Sequence, residues 1–256
     1  MSAPAIRPMS IGEVLDTSFG IYRRLFPTLA LVSLVTLGFP LVWGIFETMR
    51  GAGPMNLLST SIRLVVTVIL SSIGTAASTF IVSESYLGRT LSYGEALSRA
   101  VPFIGRLFML SVLTSLLVGV GFFLLIVPGI IAVSGLILGT PAMVIENQPG
   151  ATAAMSRSWA LTRGSRVRIL GVLLVGFLLM MVPYIAIGGL TGLFVSRGPE
   201  TERTAYQPVV LVLLLSLIQV LVYPLFYVAL TVLYYDARVR HEAFDLEVLA
   251  ASLTRA

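Results

Sequence analysis

From Leu107 to Ile145 the chain runs 39 residues without a charged side chain. As a helix rising about 1.5 Å per residue, this run is roughly twice as long as the ~30 Å hydrocarbon core of a bilayer is thick. Such a run must cross a membrane twice. The strong helix-breaking pair inside it is Pro128-Gly129, so the turn between two spans is expected there.

Four more uncharged runs, Leu25 to Phe46, Leu64 to Ser83, Ile169 to Ser196 and Ala205 to Tyr235, are each long enough for one span. The sequence therefore predicts an all-α polytopic membrane protein with six transmembrane helices, at about 27–46, 64–83, 107–127, 130–145, 169–194 and 209–235. Charged residues make up 11% of the chain, against about 25% in soluble proteins. No charged interval approaches the ~50 residues a soluble domain needs, so residues 1–256 are expected to form one integral membrane domain with no catalytic domain attached. Cysteine is absent, which excludes disulfides, thiolate metal sites and cysteine nucleophiles. The first run is longer than a signal-peptide core and is expected to be a retained helix.

All 17 basic residues are arginines. Placing the amino terminus in the cytoplasm puts 13 of them inside and four outside, the asymmetry of the positive-inside rule. Both termini, including a tail at 236–256, are then cytoplasmic. The inner clusters flank spans rather than forming one basic stripe, so their expected partners are anionic lipid headgroups and not nucleic acid.

Ser10 to Phe26 and Ser92 to Phe108 align without a gap and match at seven of 17 positions. Each opens with Ser followed three residues later by Glu, the capping-box pattern. A weaker third copy is Ala154-Met155-Ser156-Arg157, which echoes Ala96-Leu97-Ser98-Arg99. The expected organisation is a threefold repeat of a short amphipathic cytoplasmic-side helix and a hairpin of two spans. The first short helix, 10–24, carries Ile11, Val14, Leu15, Ser18, Phe19 and Tyr22 on one face. It is expected either to lie along the membrane surface or to pack on the cytoplasmic ends of the bundle.

Two groups of residues are candidates for function. Ser71, Thr75 and Ser78 share a face of the second span, Ser111 and Ser115 lie on the third, and Gln219 is the most polar intramembrane side chain of the sixth. They suit tight helix packing or a polar pathway. At the cytoplasmic face, Glu13, Asp16, Arg23, Glu146, Arg157, Arg163, Asp236, Arg238, Arg240, Glu242 and Asp245 are expected to form a charged network. Glu146 is set to pair with Arg157 or Arg163, and the tail charges with Arg163 or the first helix. His241 is the one histidine, and without a second histidine at a fixed spacing no metal, cofactor or catalytic site is expected.

The segment Arg7-Pro8-Met9-Ser10-Ile11-Gly12-Glu13-Val14-Leu15-Asp16 with Tyr22-Arg23-Arg24, then Arg157-Ser158-Trp159 with Leu161-Thr162-Arg163-Gly164, then Tyr235-Asp236 with Arg238-Val239-Arg240, Glu242 and Phe244-Asp245-Leu246-Glu247, resembles the bacterial glycerophosphoryl diester phosphodiesterase membrane domain family. The resemblance implies a stand-alone membrane domain of a bacterial inner membrane, with no phosphodiesterase barrel. The expected function is non-catalytic: organising lipid, or another membrane or cytoplasmic protein, at the cytoplasmic face. The alternative is a permease or channel for a small or amphipathic solute.

Overall fold

In lipid every backbone N–H and C=O must find its partner within the protein, and a helix does this within a single segment. The computed structural model, which describes residues 7–50, 57–197 and 207–242, is accordingly helical throughout. Its elements are α1 (Ile11–Arg50), α2 (Leu57–Tyr86), α3 (Tyr93–Ala100), α4 (Ile104–Leu124), α5 (Ile126–Leu136), α6 (Gly139–Ile145), α7 (Ala151–Leu161), α8 (Arg166–Arg197) and α9 (Gln207–Glu242), with a short 3-10 turn at Val101–Phe103. Six stretches among them are long and apolar enough to cross a membrane, so the protein is a multi-pass membrane protein. The long helix α9 packs along α1 and also touches α2 and α8, while the α4–α6 hairpin leans on α2 and α7.

The structure differs from the sequence expectation at three places. The expected surface helix 10–24 and the span 27–46 are one helix, α1, which runs through Pro27 and Pro40. The reason is a single buried stripe, Val14, Ser18, Ile21, Leu29, Val32 and Thr36, that keeps its phase across Pro27. Packing along this stripe outweighs the one hydrogen bond the proline removes.

The turn of the central hairpin falls at Leu125, whose backbone is extended (φ −167°, ψ 158°), and not at Pro128-Gly129. Pro128 instead sits in the first turn of α5, where its missing N–H has no helical acceptor to lose. Gly129 serves close approach: a Cβ on Gly121 would lie 3.0 Å from the Gly129 Cα. The fourth span, expected as 130–145, is divided into α5 and α6. Pro141, three residues into α6, cannot donate to the carbonyl of Ile137, and the helix is interrupted just there.

The capping boxes are present at both expected places. Ser92 and Glu95 exchange side-chain and backbone bonds at the start of α3, and Ser10 and Glu13 do so at the start of α1.

Candidate functional site: a charged clasp and an apolar groove

Most ion pairs of the described residues gather at one end of the bundle, the arginine-rich end. Glu146, just beyond α6, accepts from Arg157 Nε at 2.7 Å and Nη2 at 2.8 Å. Arg157 also meets Glu242 at 2.5 Å, and Glu242 accepts from Arg238 at 3.0 Å. Arg238 closes the ring at 3.9 Å from Glu146. Two carboxylates and two guanidiniums therefore alternate, joining the hairpin, α7 and the end of α9. The Tyr234 hydroxyl and Gln148 Nε2 donate to the same Glu146 carboxylate at 2.7 and 2.8 Å.

A second assembly is built on Asp236, which is almost fully buried. Its carboxylate accepts from Arg168 of α8 at 2.5 Å, from Arg240 at 3.1 Å and from the Met9 backbone N–H at 2.8 Å. Both arginines also donate to the Met9 carbonyl, Arg240 at 2.7 Å. Met9, two residues ahead of α1, is thus clasped between α8 and α9. Beside it Tyr86 and Tyr235 stack with ring centroids 4.8 Å apart, and Ser83 bonds the Tyr235 hydroxyl at 2.6 Å.

The structure brings Glu146, Arg157, Asp236, Arg238, Arg240 and Glu242 together as the sequence suggests, with corrections of partner. Asp236 takes Arg168 in place of Arg163, and it reaches the first helix through the Met9 backbone, not through a side chain. Arg163 has no acidic partner among the described residues, and Asp16 and Arg23 are exposed without an ion pair there. Glu13 pairs with Arg7 and caps α1, away from the ring. Asp245 lies outside the described residues. Glu84, at the end of α2, pairs with Arg99 at 3.2 Å and with Arg89. At the opposite end, Arg63 is 3.4 Å from Glu47.

Burial pushes the Glu146 carboxyl up, but the bonds from Arg157, Tyr234 and Gln148 outweigh this and hold it below its ordinary 4.5. The stabilisation is therefore complete above about pH 4.5 and is lost as the pH falls through the lowered value. Thermal melts of the purified protein should drop on acidification below that point. Glu146→Gln, which cannot titrate, should melt lower at neutral pH and lose less on acidification; equal acid sensitivity of the two proteins would show that Glu146 carries none of it.

The hydroxyl faces are occupied with their own helices. Ser71, Thr75 and Thr79 donate to carbonyls three or four residues back. Ser78 is buried without a hydrogen-bond partner. Thr36 packs on Gly74, where an added Cβ would lie 2.8 Å from its Oγ1. Ser111 is half-buried and Ser115 exposed on α4. Gln219 lies in hydrogen-bonding reach of Tyr184 on α8. It belongs to a polar stripe on α9 that a four-residue count reveals: Gln219, Tyr223, Tyr227, Thr231 and Tyr235.

Between α1, α8 and α9 lies an apolar groove of about 530 Å³, within the ~300–1,000 Å³ range of small-molecule sites. Leu173, Gly176, Met180, Leu225 and Phe226 line it, and Asp16 and Ser18 belong to its wall. Its rim residues Phe19 and Leu179 are more than half exposed, so it opens sideways to the bilayer. The Tyr22 hydroxyl in its wall donates to the Leu221 carbonyl at 2.8 Å, beside the backbone that Pro224 disrupts. Among the described residues no group of three or more His, Cys, Asp or Glu side chains is gathered as a metal site would need.

No solved structure matches the chain. Residues 80–237, which run from the last turns of α2 to just past Asp236 and take in Glu146, Arg157 and Arg168 but not Met9, Arg238, Arg240 or Glu242, match the model of a domain of unknown function, DUF7847, and the chain belongs to that family.

Proposed function

We propose that this is a non-catalytic protein of a bacterial inner membrane, with both ends in the cytoplasm, that binds a bilayer lipid at its cytoplasmic half. The observation that carries this is the apolar groove of about 530 Å³ among α1, α8 and α9, open to the hydrocarbon and backed at its inner end by the Asp236 clasp. Each carboxylate of the ring and clasp is neutralised by arginine, so none stands free as a general base. The role of the charges is to hold three spans in the geometry that leaves the groove between them. Thirteen arginines on the side of the termini support the orientation. The likeness to the glycerophosphoryl diester phosphodiesterase membrane domains belongs to the same proposal. A permease would draw on the hydroxyls of α2 and α4, and those of α2 are largely engaged with helix carbonyls, so it is the weaker alternative.

Gly176 gives a direct test, because a Cβ there meets nothing within 4 Å and a large side chain has room to enter the groove. Native mass spectrometry of the detergent-solubilised protein should show retained phospholipid. Gly176→Phe should lose most of it with little change in melting temperature. Full retention in Gly176→Phe, or a parent protein that carries no lipid, would overturn the proposal.

A further inference from the structure

Helix α7 presents Ser156, Trp159 and Ala160 along one face, at helical offsets of three and four, and Arg163 follows in the turn just beyond its end. The start of α8 bounds the other side with Arg166 and Val167, leaving an open hollow of about 1050 Å³ between them. Four arginines lie between 157 and 168. Arg157 is neutralised by Glu146 and Glu242, and Arg168 by Asp236. Arg163 and Arg166, which face the pocket, meet no carboxylate among the described residues.

Arg166 is held in position by an aromatic support. Its guanidinium lies over the Trp159 ring, 4.0 Å from the centroid, a cation–π contact. The ring in turn is seated on Gly135 of α5, where a Cβ would come within 2.3 Å of it. Ser158 and Thr162 pin the same helix by donating to the Gly135 carbonyl at 2.7 and 3.4 Å. The Arg166 Nε–H is buried and has no acceptor, which is unusual for a buried donor, but it is closed off from the pocket, so a ligand there would meet the rest of the guanidinium. Two guanidiniums that meet no carboxylate among the described residues, one of them held on the Trp159 ring, together with the exposed Ser156 side chain make a site for a tetrahedral oxyanion.

We propose that this pocket binds the phosphate of an anionic phospholipid, with Arg163 and Arg166 as its cationic partners and Ser156 as a further donor. The bilayer is the source of the phosphate because the pocket adjoins exposed apolar surface: Val167 is 86% exposed and Trp159 41%, the composition of a membrane interface. The site deepens the lipid function proposed above but is physically separate from the groove. Arg166 and Val167 lie roughly a third of a turn around α8 from Val172, Gly176 and Met180. Either site can therefore fail alone.

The test uses Trp159 as the reporter. In a Trp43→Phe background it is the sole tryptophan, since the chain has two. The full chain is placed in phosphatidylcholine nanodiscs doped with either brominated phosphatidylglycerol or brominated phosphatidylcholine. Brominated phosphatidylglycerol should quench Trp159 in preference, by roughly thirtyfold in relative affinity for two surface guanidiniums. Arg163→Gln with Arg166→Gln should abolish the preference while groove-bound lipid is still retained by mass spectrometry. Arg163→Lys with Arg166→Lys, which keeps the charge, should preserve part of it and serves if the Gln pair does not fold. Equal quenching by both lipids in the parent, or an undiminished preference in the Gln pair, overturns the site. Inorganic phosphate added to the medium should leave the quenching unchanged; if it blocks quenching, the ligand is soluble phosphate and the assignment to lipid is wrong.

Discussion

Asp236→Ala should lower the stability of the folded protein by about 3–5 kcal/mol, the range for removing one partner of a buried ion pair. The carboxylate is almost fully buried and serves Arg168, Arg240 and the Met9 N–H together. Its loss leaves two guanidiniums facing each other across a single carbonyl. Asp236→Asn keeps the shape and one acceptor but not the charge, and should fall between the two. Thermal melting in a mild detergent, with crosslinking between residues introduced at the starts of α1 and α8, separates loss of stability from loss of the clasp. A change below about 0.5 kcal/mol, the usual scale of a surface substitution, would show that Asp236 is solvated and the clasp inert.

Gly135→Val should be nearly as damaging, by about 3 kcal/mol from overpacking and the strain it puts on two buried hydrogen bonds. Even a Cβ at this position would stand 2.3 Å from Trp159 Cε3. The ring must move, and with it the seat of α7, the Ser158 and Thr162 bonds to the Gly135 carbonyl and the support under Arg166. Trp159→Ala in the same chain makes room for the valine and should recover a good part of the loss. The measurement is a double-mutant cycle by thermal melting. Simple additivity of the two substitutions would show that the contact is not what limits position 135.

The spans were legible because an uncharged run longer than a bilayer is thick leaves few folds open to the chain. The helix ends were less so. Pro128 reads as a breaker by composition, yet a proline in the first turn of a helix costs little, and which of four neighbouring residues becomes the extended one is settled by how Gly121 and Gly129 approach. The continuity of α1 across Pro27 depended on a stripe whose phase can be followed in the sequence only once its partners in the bundle are known.

The charged end was half legible for a related reason. Asp236 with Arg240 and Arg238 with Glu242 are four residues apart on one helix, and that spacing is visible in any helical sequence. The partners Arg168 and the Met9 backbone stand 68 and 227 residues from Asp236, and no local pattern couples positions so distant. Arg163 is close to Arg157 in sequence, but it lies in the turn beyond α7 and lines the hollow beside Trp159. The groove was not legible at all, since it exists only where α1, α8 and α9 diverge.

The bond between Met9 and Asp236 spans 227 positions of the chain. Because α1 is made well before Asp236, its Met9 end is expected to stay unclasped until α9 has been made and docked. Nascent chains that stop short of Asp236 should therefore remain open to proteolysis near the amino terminus. Docking of α9, rather than insertion of α1, should then be what closes this end of the bundle.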